Sequence, residues 1–135
     1  MDVKDLLPKT KHDFSTLEKI EKLTDDEIKT IIYELLEWLQ DYNWPVADGI
    51  LQILIKREKL VFPYIQNILD GDDLMWKYWL MDLLIPTFSN TNKIKLKSSI
   101  ENIIKDAIEN NDKDDILDTA LKCYKNCYGI DFYYQ

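Results

Sequence analysis

The chain has 135 residues, 46% hydrophobic and 31% charged, and its 25 acids outweigh 17 bases to give a net charge of -8. This fits one globular domain, 1–135, able to bury roughly 65–70% of its unfolded surface; with 3 Gly and 4 Pro it excludes disorder and a glycine-turned β-sandwich. No run reaches the roughly 18 apolar residues of a membrane span, no stretch resembles a secretory signal, and a soluble cytoplasmic protein is expected.

The lead segment "LLPKTKHDF" runs into "STLEKIEKL", where Ser15 and Glu18 have capping-box spacing. "TDDEIKTIIYELLEWLQ" repeats the signature with Thr24 and Glu27. Two adjacent helices are predicted. In the second, Ile28, Ile31, Ile32, Leu35, Leu36 and Leu39 recur at intervals of three and four, with Glu34 and Gln40 nearer water.

"DYNWPVAD" interrupts this pattern. Pro45 suits the first turn of a new helix, about Pro45 to Arg57, and biases Trp44 toward an extended conformation. Val46, Ile50, Ile53 and Leu54 face inward, and Asp48 suits the positive end of the helix dipole. A shorter helix, about Leu60 to Leu69, turns Val61, Tyr64, Ile65 and Ile68 inward, with Pro63 tolerated in its opening turn.

"DGDD" then suggests calcium, but a loop counted from Asp70 needs glycine sixth and glutamate twelfth, where Met75 and Met81 stand. It is read as a turn at Gly71 with Asp72 or Asp73 as N-cap. "LMWKYWLMDLLIP" is apolar around most of its circumference, as a central helix is. Its Lys77 must reach water or pair with Asp41 or with Asp73. Helices at about Asn92 to Glu109 and Asp114 to Tyr128 follow; Gly129 ends the last, and "IDFYYQ" is an aromatic tail.

Helix pairs beginning near 24, 60 and 93 predict an all-α fold: a small HEAT-like α-α superhelix of about three antiparallel pairs with a short N-terminal helix, ahead of a four-helix bundle. Three quoted motifs, "LLPKTKHDF", "LLEWLQDYNWPVADGIL" and "DDLMWKYWLMDLLIP", resemble the bacterial domain-of-unknown-function family numbered 5071. Its members share a lysine-histidine-aspartate start, a tryptophan-proline turn and a tryptophan-rich central helix. The resemblance covers about residues 5 to 86. It implies an all-α, HEAT-like fold and no established activity.

No catalytic set is legible. Ser or Cys nucleophiles usually need a histidine base, and the single His12 is read as a structural hydrogen-bonding residue. The three glycines form no phosphate loop, and no cofactor is expected. Cys123 and Cys127, spaced i,i+4, are read as semi-buried thiols; no metal site is expected, since further ligands are lacking. The acidity disfavours nucleic acid and suits a basic partner.

A non-catalytic protein-protein interaction module is therefore the leading reading, holding a protein or peptide through Asp41, Asn43, Trp44, Trp76, Lys77 and Trp79. The alternative is an immunity-type inhibitor of a basic bacterial toxin domain. Trp44 itself has two readings, packing against a neighbouring helix or a partly exposed binding position.

Overall fold

Every regular element is helical in the computed structural model, which describes residues 2–110 and 115–133. Among the described residues there is no strand, as the three-and-four period requires. No helix is long and apolar enough to cross a membrane, again among the described residues. The chain divides into two compact units, Met1–Tyr64 and Ile65–Gln135.

The first unit begins with a 3-10 turn, Val3–Leu6, and continues through α1 (Leu17–Glu21), α2 (Asp25–Ile28), α3 (Ile32–Glu37) and α4 (Ala47–Ile55). Thr24 forms the predicted capping box: its hydroxyl accepts from Glu27 N while Glu27 reaches back to Thr24 N at 2.9 Å. The box predicted at Ser15 is absent. Thr16 holds the N-cap position of α1 without a side-chain capping bond, its hydroxyl donating to Leu6 O, while Ser15 Oγ donates to Asp13 at 2.6 Å and Glu18 pairs with Lys22.

The helix expected from Asp25 through Leu39 is broken into α2 and α3. Thr30 Oγ1 donates to Glu27 O at 2.8 Å, and the bonds Thr30 N to Glu27 O and Ile31 N to Ile28 O tighten the backbone there. Three consecutive β-branched residues, Thr30 to Ile32, give that local alternative its advantage. Burial holds the stripe together across the break: Ile28, Ile31, Ile32, Leu35 and Leu36 are fully buried and Leu39 nearly so.

Arg57 ties this unit's turns. Its guanidinium donates to Asp25 Oδ1 at 2.9 Å and to the carbonyls of Glu21 and Leu23 at 3.0 and 2.6 Å, anchoring the α1–α2 connection. The next helix, α5 (Glu58–Leu69), spans the boundary between the units and starts earlier than expected. Pro63 therefore lies beyond the opening turn, where its missing N–H costs a helical bond. It sits on the exposed face, where water can serve the carbonyl one turn back.

In the second unit Asp73 caps α6 (Leu74–Trp79), accepting from Trp76 N at 3.0 Å. The helix then widens into one π-turn, Leu80–Leu84, and tightens into a 3-10 turn, Ile85–Thr87. Pro86 explains the change: it cannot donate to the preceding turn and its ring crowds that turn's carbonyl. Leu80, Met81, Leu84 and Ile85 are fully buried, as a central element demands.

The long α7 (Asn90–Glu109), capped by Ser89, packs along α8 (Ile116–Tyr128). The predicted α8 start at Asp114 lies outside the described residues. Tyr124 Oη donates to Glu101 and Tyr128 Oη to Lys93 O, at 2.9 and 2.6 Å. Gly129, at φ 70°, ends α8 in the left-handed region that suits glycine. Phe132 of the aromatic tail folds back onto Tyr124 with ring centroids 5.5 Å apart.

Candidate functional site

"DYNWPVAD" folds as two successive turns. Asp41 O accepts from Trp44 N and Asp41 Oδ1 from Asn43 N at 2.9 Å, an Asx turn closing on itself. Trp44 O then accepts from Ala47 N, which puts Pro45 at the second position of the next turn, where its fixed φ fits. Pro45 thus precedes α4 rather than opening it. Tyr42 Oη donates to Asp48 at 2.6 Å, and that bond pushes the phenol up to about 12.

The lead segment is pinned to this turn by Val46 N donating to Lys11 O at 2.9 Å. Asp13 organises the segment by accepting from Lys9 N and from Ser15 N. Leu7 and Pro8 are thereby brought beside Trp38, which meets Trp44 edge to face with centroids 5.5 Å apart. The result is an open groove of about 320 Å³, with Leu7, Pro8, Trp38 and Trp44 supplying apolar surface and Glu34 and Glu37 the charge. Both tryptophans are half-buried.

Of the six residues singled out in sequence, Asp41, Asn43 and Trp44 lie in the first unit. Only Trp44 lines its groove; Asp41 and Asn43 build the turn that carries it. Trp76, Lys77 and Trp79 belong to the second unit. There Trp76 is core, 7% exposed, and half-buried Trp79 stacks edge to face on Tyr78 at 4.8 Å. Lys77 lines a polar cleft of about 790 Å³ with Lys105 and the acids Asp70, Asp72, Asp106 and Glu109. The predicted Lys77–Asp73 pair is absent, because the Asp73 carboxylate caps α6. Asp41, the other proposed partner, accepts from Asn43 in the first unit.

Sequence reasoning missed Trp38, Glu34 and Glu37. Their spacing on one face of a helix, with an aromatic among acids, was the available signal; the approach of Leu7 and Pro8 across a long loop had none.

His12 corrects another expectation. It is exposed, and its backbone N–H donates to Thr10 Oγ1, while its ring makes no hydrogen bond among the described residues. Cys123 is buried and Cys127 half-buried, their sulfurs 3.8 Å apart. Sharing a hydrogen bond lowers Cys127, and that bond together with burial raises Cys123. No group of three or more potential metal ligands occurs among the described residues.

A family model covers residues 6–124. The chain belongs to the DUF5071 family, a domain of unknown function. The DUF5071 match extends well past residue 86, where the quoted motifs stop, and into α8. No curated protein matches the chain.

Proposed function

We propose that this DUF5071 chain is a non-catalytic module that binds a partner protein or peptide through the groove between Trp38 and Trp44. The observation that carries the reading is a pair of half-buried indoles open to solvent on one side. Tryptophan concentrates binding energy when a partner completes its burial. The flanking glutamates and the net charge of -8 favour a basic partner and speed its encounter. A HEAT-like α-α superhelix accords with helix starts at Asp25, Glu58 and Asn90, roughly 33 residues apart.

The test is capture of partners from the source cell by the native chain and by Trp44→Ala. Loss of a specific partner by a variant that keeps its helical dichroism supports the reading. A folded variant that captures the same partner rejects it.

The chain's acidity also favours a second reading, an immunity-type inhibitor of a basic toxin domain. A toxin gene immediately upstream, with direct inhibition of its product, would select this reading over a general interaction module.

A further inference from the structure

We propose that the groove receives the guanidinium of an arginine presented by a basic segment of the partner. This rests on the protein-binding reading and names the group the groove takes. Glu34 and Glu37 lie three residues apart on α3, Trp38 follows at its C-cap, and all three line the groove together with Trp44. Neither glutamate makes an ion pair or a hydrogen bond among the described residues.

Several other acids of this unit do have a cationic partner. Glu21 is matched by Lys56 at 2.6 Å and Asp25 by Arg57 at 2.9 Å. At the groove, two like charges stand one turn apart with no cation between them, an arrangement that destabilises a helix. The indole faces beside them also carry negative potential. All four groups therefore favour a cation.

Arginine fits better than lysine. Its planar guanidinium stacks on an indole while bonding carboxylates through its fork, which a lysine ammonium cannot do. Its methylene stem can lie along half-buried Leu7. A groove of about 320 Å³ admits one such side chain rather than a helix.

The experiment titrates the full chain with a capped Gly-Arg-Gly-Arg-Gly peptide, following the four indole N–H resonances. Citrulline and lysine versions serve as comparisons. Saturable shifts of Trp38 and Trp44 are expected, with at least tenfold weaker binding of the neutral citrulline peptide. The Glu34→Gln, Glu37→Gln double variant is expected to lose at least tenfold in affinity while melting no lower than the native chain. Equal binding of the citrulline or lysine peptide, undiminished affinity in the double variant, or shifts confined to Trp76 and Trp79 would overturn the assignment. If the arginine peptide fails to bind while Trp44→Ala still abolishes partner capture, the arginine assignment falls and the protein-binding reading stands. Unchanged capture by folded Trp44→Ala removes both.

Discussion

Truncating Trp44 to alanine removes an edge-to-face partner of Trp38 and part of an apolar surface that solvent already reaches. Full burial of a tryptophan would put the cost at about 3–5 kcal/mol, but half-burial lowers it. Trp44→Ala is expected to lose about 1–2 kcal/mol in chemical denaturation, most of it from the aromatic pair and its buried area. Lys77 makes the opposite case. It is only half-buried, and no ion pair with a residue of its own unit holds it. Lys77→Met is therefore expected to change stability by less than about 1 kcal/mol, read as nearly coincident thermal melts.

Elements are where the first unit's connections matter most. The Arg57 side chain is 15% exposed, whereas Asp25 is 74% exposed, so the ion pair itself is a minor contribution. The two carbonyls it serves decide the matter, since both lose a charged donor when it is removed. Arg57→Ala is expected to cost about 2–3 kcal/mol, and Arg57→Lys to recover little, because an ammonium lacks the fork that reaches several acceptors. Urea denaturation of both variants measures this.

The same elements show what was legible in sequence. The stripe from Ile28 to Leu39 and the Thr24 cap were readable because both follow from local spacing. The break at Thr30 was not, because it depends on a hydroxyl competing for one carbonyl within a favourable period. Pro63 misled because the apolar period placed the start of α5 two residues late. Most of the candidate site was likewise hidden: Trp44 was marked by Pro45, but Leu7 and Pro8 reach it through Val46 N and Lys11 O, a backbone bond without a residue-type signature.

At the scale of the whole molecule, acid stability follows from carboxylates serving as acceptors. Asp13 is held below its ordinary 3.8 chiefly by the Ser15 hydroxyl, Glu21 below 4.5 by Lys56, and Glu27 below 4.5 by Thr24 N–H. A carboxylate with a depressed folded value contributes full stability above its unfolded value, and that contribution disappears as pH falls through the folded one. Melting temperature is therefore expected to decline once pH drops below about 4.5, and more shallowly in Glu21→Gln. A steeper decline in that variant would contradict the sign.

The partner-binding account is tested most directly by the indole spectrum of the native chain bound to the protein it captures. Broadened or displaced Trp38 and Trp44 N–H resonances are expected, with the core Trp76 resonance unchanged. Free and bound spectra with identical Trp38 and Trp44 signals would contradict it.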